Sequence, residues 1–212
     1  MRLLVLLASL LPAACGDGTA ELTEAERSLV ETLQFDAELM ASIRAKGQSF
    51  EQLQGESADW EAYPAAGLTV TTKPAKGRAT LRRIRKLLEG SDYTAYLHNV
   101  EFGNGPDTIA ILKGGDPYDY LALVRTNGIN YDLTHETVLE RYREWDERYG
   151  FRLTGAGRDW LDATFTQPPE DWLAFAQEVD EFCPDLVDQG TGDVAALAKE
   201  MRRANSLYLW WD

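Results

Sequence analysis

The sequence predicts an α+β domain built on a largely antiparallel sheet. Three observations carry that expectation. From Gly67 onward, segments with period-two alternation trade with segments whose apolar residues recur every three or four positions. Strand-like segments are joined by short Gly-containing connections of the hairpin kind, "EFGNGP" and the "GAG" turn among them. The second half reads strand, helix, strand, strand, helix, helix, strand, which is the order of a split β-α-β, ferredoxin-like sheet with one inserted helix.

In chain order the first element is a leader. "MRLLVLLASLLPAAC" places one cation at Arg2, an apolar run from Leu3 to Leu11, and Ala13 and Ala14 before Cys15, the layout of a secretory signal. The run is too short for a bilayer span, which needs about 20 residues. Residues 1–14 are therefore expected as a signal peptide and 15–21 as a small, polar tether. Cys15 after two small residues resembles the lipobox of bacterial lipoproteins, with Pro12 where that box usually has Leu. The resemblance implies cleavage before Cys15, acylation of its thiol with palmitate-type chains, and attachment to a membrane of the cell envelope. Gly16, in the place where an Asp would retain a lipoprotein in the inner membrane, points to the outer membrane in a host with two.

Lipidation of Cys15 would leave Cys183, the only other thiol, without an intramolecular partner, so the fold must rest on its core. Without residues 1–14 the chain retains one domain's worth of residues plus an extension. Its balance is then 20 Lys and Arg against 35 Asp and Glu. That acidity argues against nucleic acid and against electrostatic adhesion to anionic lipid. It permits a cationic partner, or is simply a solvated surface.

Residues 22–64 read as an N-terminal helix and a linker. Thr23 and Glu26 have capping-box spacing, and Leu22, Leu29, Val30, Leu33, Ala37, Met40 and Ile43 form a helical stripe over about 24–45, ending near Gly47. That stripe is expected to pack on the domain or on a partner. "GQSFEQLQGESADWEAYPAAG" is turn-rich and reads as the linker. In the domain at 65–212, "LTVTTK" is a strand, "ATLRRIRKLLEG" a helix, and "YTAYLHNV" and "DTIAILKG" two strands. "DYLALVRT" reads as a further strand, and Thr134 caps a helix that runs to Gly150. "FRLTGAGRDWLDATF" is two strands, "PPEDWLAFAQEVDEFC" and "DVAALAKEMRRA" are helices, and "SLYLWWD" closes as a strand.

The segments "TNGINYD", "EWDERYGFRLTGAGRDW", "FAQEVDEFCPDLVDQGTG", "ALAKEM" and "LYLWWD" occur in that order. Together they resemble the bacterial domain-of-unknown-function family 4253 over roughly residues 67–212. The resemblance implies no activity and brings no catalytic residues.

"FCPDLVDQGTGDV" carries the strongest local chemistry. Gly190, Thr191 and Gly192 at the head of a helix would present N–H groups to an anion, but Asp185, Asp188 and Asp193 repel one, and Asp193 is placed to cap that helix itself. The same three carboxylates are hard ligands of the kind a divalent metal takes, without the order of an EF-hand. Cys183 would become a nucleophile only beside His98 or His135, and otherwise it is a small buried hydrophobe. Trp210 and Trp211 point to opposite sides of their strand, so one of them leaves the core. With Trp160, Trp211 forms a candidate aromatic surface for a cationic or sugar-like ligand.

Three functions are open on these features. The preferred one is a non-catalytic envelope lipoprotein that binds a partner protein or a small ligand, with no cofactor. The second is a metal-assisted hydrolase using the Asp185–Asp193 loop, which would need a divalent metal. The third is an acidic immunity or inhibitor protein for a basic toxin or enzyme.

Overall fold

The capping box read in the sequence opens the first helix, α1 (Glu24–Thr32): Thr23 Oγ1 accepts the Glu26 N–H at 3.2 Å, and the Glu26 carboxylate accepts the Thr23 N–H at 2.9 Å. The computed structural model describes residues 20–47 and 49–212, so the leader, Cys15 and most of the tether lie outside the described residues. The single expected helix is two. Gln34 turns left-handed (φ 57°), and Asp36 then caps α2 (Ala37–Arg44) by accepting the Leu39 N–H at 2.8 Å.

The stretch read as a linker is an antiparallel hairpin of β1 (Phe50–Glu56) and β2 (Ala62–Thr71). Its Pro64 masked the strand. Pro64 lies opposite Gln54 beside an irregularity in the β1 register and outside the part of β2 that pairs with the next strand, so no central ladder bond is lost. The chain continues through α3 (Gly77–Leu87), β3 (Tyr93–Asn99), β4 (Thr108–Lys113) and α4 (Pro117–Val124). Then come α5 (His135–Tyr149), β5 (Phe151–Ala156), β6 (Trp160–Phe165), α6 (Trp172–Phe182), α7 (Val194–Ala204) and β7 (Ser206–Trp210).

All seven strands form one sheet, in the order β1-β2-β4-β3-β5-β6-β7. Every pairing is antiparallel except β3 with β5, which run parallel and meet at Leu97 and Gly155. The molecule is thus α+β with a mostly antiparallel sheet, as expected. The segment "DYLALVRT" differs: it is α4 and its end, not a strand. Asp116 accepts the Tyr118 N–H at 2.9 Å, Pro117 occupies the first turn, and Tyr120, Leu121 and Val124 lie buried on one helical face. The ferredoxin-like order expected for the second half needed a strand there.

Helices cover both faces of the sheet, which makes the central strands almost continuously apolar. Val30, Met40, Ile43 and Ile84 from α1–α3 pack on Leu68, Val70, Ile109 and Ile111. Tyr120, Trp145, Phe175 and Met201 from α4–α7 pack on Ala110, Leu153, Leu161 and Leu209. Each such side chain contributes about 1.5–3 kcal/mol when fully buried.

The seam between β3 and β5 is held by a side chain. Where the two strands separate, Arg85 of α3 donates to the Ala95 carbonyl (2.9 and 2.8 Å) and to the Leu153 carbonyl (2.7 Å), supplying donors that a longer ladder would have provided. Two turns earlier, Arg78 pins α3 to β6. Its Nη1 lies 2.6 Å from Asp162 Oδ2, although off the axis of a good hydrogen bond. The Asp162 side chain is 2% exposed and that of Arg78 60%.

This asymmetry predicts unequal mutants. Arg78→Ala, which strands a buried carboxylate, should cost about 2 kcal/mol, below the 3–5 kcal/mol of a fully buried pair because water shares the Arg78 end. Asp162→Asn returns an arginine to water and should stay within about 1 kcal/mol of wild type. Burial raises the Asp162 pKa, with Arg78 and Arg85 opposing. The folded state therefore holds this proton more tightly, and wild type should lose stability as pH rises from the ordinary carboxylate range through the folded value. Asp162→Asn should lack that slope in urea titrations, and equal costs for the two variants would refute the assignment.

Candidate functional site

β3 and β5 run side by side in the same direction, and the chain leaves them to opposite sides, β3 toward β4 and β5 toward β6. At such a divergence the carboxyl ends of parallel strands open a crevice. Here it is a cleft of about 380 Å³ lined by Glu56, Trp60, His98, Asn99, Arg158 and Trp160, among others.

The strands meet closely because Gly155 has no Cβ to strike Leu97. The turn between β5 and β6 is then fixed from three sides. Thr126 Oγ1 donates to the Gly157 carbonyl (2.7 Å), the Asn127 N–H to the Arg158 carbonyl (2.8 Å), and the Trp211 N–H to the Asp159 carbonyl (3.0 Å). With its carbonyls engaged, the turn projects Arg158 outward. The Arg158 guanidinium lies 4.4 Å from the centre of the Trp60 ring, and its Nε is 3.6 Å from Glu56 Oε1. Trp60 is 43% exposed and sits at φ 65°, a conformation that is costly for a bulky residue.

His98 supplies the floor of the cleft with a neutral acceptor. The Tyr120 hydroxyl lies 2.9 Å from the Ala156 carbonyl and 3.1 Å from that of Leu97, so its one hydrogen is committed across the strand pair. Its oxygen can then only accept from His98 Nδ1, 3.2 Å away. That arrangement places the imidazole proton on Nδ1 and leaves Nε2 as the acceptor. Burial lowers the His98 pKa, so the ring is uncharged at neutral pH.

Residues 108–212 match a family model described as Domain of unknown function (DUF4253). Those residues belong to that family. No curated protein and no solved structure matches the chain. The match begins at β4, so the segment from about residue 67 through β3, over which the resemblance extends, lies before it. The DUF4253 region contributes Arg158, Asp159 and Trp160 to the cleft, whereas Glu56, Trp60 and His98 come from the preceding part of the chain.

The DUF4253 segments that carry the resemblance converge behind this turn. Thr126 and Asn127 of "TNGINYD" hold the backbone of "GAGRDW", and Trp211 of "LYLWWD" does so from the other side. Trp211 also packs edge-on against Phe182, and its indole N–H reaches the Phe182 carbonyl at 3.4 Å. The loop that begins at Phe182 joins them through Asp185. Its carboxylate accepts from the Tyr131 hydroxyl (2.5 Å), Gln189 Nε2 (2.8 Å) and the Asp212 N–H (2.9 Å).

That network settles where the other expected residues stand. Asp185 is buried and occupied by protein partners, while Asp188 is exposed in a π-helical turn (Leu186–Thr191). Gly190 and Gly192 are exposed and Thr191 is half-buried, with its hydroxyl on the Leu186 and Asp193 carbonyls. Asp193 caps α7 by accepting the Ala196 N–H at 2.7 Å, as its position predicts. Among the described residues, no group of three or more His, Cys, Asp or Glu side chains is arranged to hold a metal.

Cys183 is fully buried at the outer edge of β7, where its thiol donates to the Trp210 carbonyl at 3.0 Å. Burial pushes its pKa up to about 12, so it is a protonated, inert thiol. His98 is engaged by Tyr120 and His135 by the Thr126 carbonyl, neither by Cys183. The aromatic surface expected at Trp160 and Trp211 is not formed by those residues, which are 9% and 2% exposed. Helices cover Trp211, and Trp160 lies against Gly157 with only its rim on the cleft. The exposed indole is Trp60, hidden from sequence reasoning in the supposed linker. Among the described residues no helix is long and apolar enough to cross a membrane.

Proposed function

We propose that the protein is an exported lipoprotein of the cell envelope, attached through Cys15, and that its domain binds a small hydroxylated ring compound of the sugar class without transforming it. The supporting observation is the cleft at the ends of β3 and β5. It offers a flat indole at Trp60, a donor at Arg158, acceptors at Glu56 and His98, and the amide of Asn99. A ring with apolar faces and hydroxyl edges needs that mixture of stacking surface, donors and acceptors. Placement in the envelope rests on the leader and on the lipobox resemblance.

Strain at Trp60 gives the reading a specific test. Glycine tolerates φ 65° freely, so Trp60→Gly relieves backbone strain of about 1–2 kcal/mol while losing a cation–π contact of about 0.5–1 kcal/mol. Stability should change by less than about 1 kcal/mol, whereas affinity for a sugar ligand, measured by calorimetry across a panel of mono- and oligosaccharides, should fall at least tenfold. Arg158→Ala should weaken the same ligand. If nothing in the panel binds saturably, or binding survives both substitutions, the proposal fails.

A further inference from the structure

The net charge of −14 conceals a local inversion. Residues 73–86 hold 7 of the chain's 21 cations and no Asp or Glu. Over α3 they are sorted by helical period. Gly77, Thr80, Leu81 and Ile84 face the core, while Arg78, Arg82 and Lys86 follow at intervals of four on the outside, with Arg83 beside them. Lys73 and Lys76 extend the patch past the helix start, and both are exposed, as are Arg82, Arg83 and Lys86. Among the described residues none of these five is in an ion pair, although 35 carboxylates are present to pair with. Arg85 turns inward onto β3 and β5, and the half-solvated Arg78 reaches Asp162 of β6, so these two fasten the helix to the sheet.

We infer that the outer face of α3 is a docking surface for anionic lipid headgroups. A surface of unopposed cations fits a sheet of phosphates, and each Lys or Arg close to such a surface is worth about 1 kcal/mol. The position of the helix favours lipid over other polyanions. α3 shares its layer with α1 and α2, and the chain enters that layer at Ala20, whose N–H donates to the Ala41 carbonyl of α2. Between Cys15 and Glu24 the chain can reach no more than about 30 Å. An acylated Cys15 would therefore hold this layer beside the bilayer, where a lipid chain and a basic patch act together. The acidic remainder of the molecule is repelled by the same headgroups and would turn the sugar-class cleft away from or along the membrane rather than into it. In this choice of partner the inference rests on the envelope placement proposed above.

The experiment separates the two. The full chain, produced without acylation, is sedimented with vesicles of phosphatidylcholine alone and of phosphatidylcholine in which part of the lipid is replaced by phosphatidylglycerol. The variant Arg82→Glu/Arg83→Glu/Lys86→Glu changes exposed residues only and shares the leader, so any apolar contribution of residues 1–14 cancels. Wild type should bind the anionic vesicles, lose them as salt rises, and exceed the variant by at least about 100-fold in partition coefficient. Equal binding by wild type and variant, or no binding to anionic vesicles, overturns the inference. So does a wild-type dimer that the variant abolishes without any lipid binding, because the patch would then serve a second copy. Mass spectrometry of Cys15 in the envelope fraction tests the anchor independently of either outcome.

Discussion

A chain truncated after Ser206 is expected to lose its cooperative unfolding transition. β7 is an edge strand by topology, yet Leu207 and Leu209 are fully buried and Trp211 is 2% exposed. Each contributes about 1.5–3 kcal/mol by burial, so their joint loss approaches the 5–15 kcal/mol that holds a typical domain together. Deletion also removes the ladder from Ser206 to Trp210 against β6, and it takes away partners of Cys183, Asp159 and Asp185. Circular dichroism and urea titration provide the measurement. A truncated domain with the midpoint and slope of the full one would mean that β7 is dispensable, contrary to its burial.

The strand was legible in the sequence because its two-residue alternation is carried by large side chains. Leu207, Leu209 and Trp211 point one way, Tyr208 and Trp210 the other, and only the first set fills the core beneath α5–α7. Caps were equally legible. Thr23, Thr134 and Asp193 each act where their position before a helical pattern predicts, because capping is a local interaction that needs no tertiary partner.

The failures share the opposite property. In "DYLALVRT" the apolar run fits either period, and what decides for α4 is Asp116 and Pro117 lying just ahead of it. The β1–β2 hairpin is hidden because Gly55 and Pro64 fall in the part of the ladder at the open edge of the sheet, which the sequence does not announce. With it go Trp60 and Glu56, one wall of the cleft. In the sequence His98 has no visible partner but Cys183, since the hydroxyl that orients it, Tyr120, lies in the segment whose apolar run fits a strand as well as a helix. The basic face of α3 was averaged away by a net charge, which reports the sum over the surface but not its arrangement.

Asp185→Ala is expected to destabilise the domain by about 3 kcal/mol. The aspartate is 2% exposed and has both oxygens engaged, by a hydroxyl, a side-chain amide and a backbone N–H. Hydrogen bonds to a charged acceptor contribute about 1.5–3 kcal/mol each, but water replaces part of that loss at the exposed Tyr131 and Gln189. The Asp212 N–H loses a fixed acceptor, and with it the tie that closes β7 and Trp211 over the loop. Asp185→Asn retains one acceptor oxygen and should cost about half as much.

The pH dependence separates this loss from mere cavity formation. Burial tends to raise the Asp185 pKa, but the hydrogen bonds from Tyr131, Asp212 and Gln189 outweigh it and hold the carboxyl below its ordinary value. A depressed carboxyl contributes stability that is present above the unfolded pKa and is lost as pH falls through the folded one. Wild type should therefore weaken below about pH 4 more steeply than Asp185→Ala, and the stability gap between them should narrow there. A gap that stays constant down to acid pH would assign the cost to lost volume. It would then follow that the ionised carboxylate is not what joins the loop at Phe182 to the end of β7.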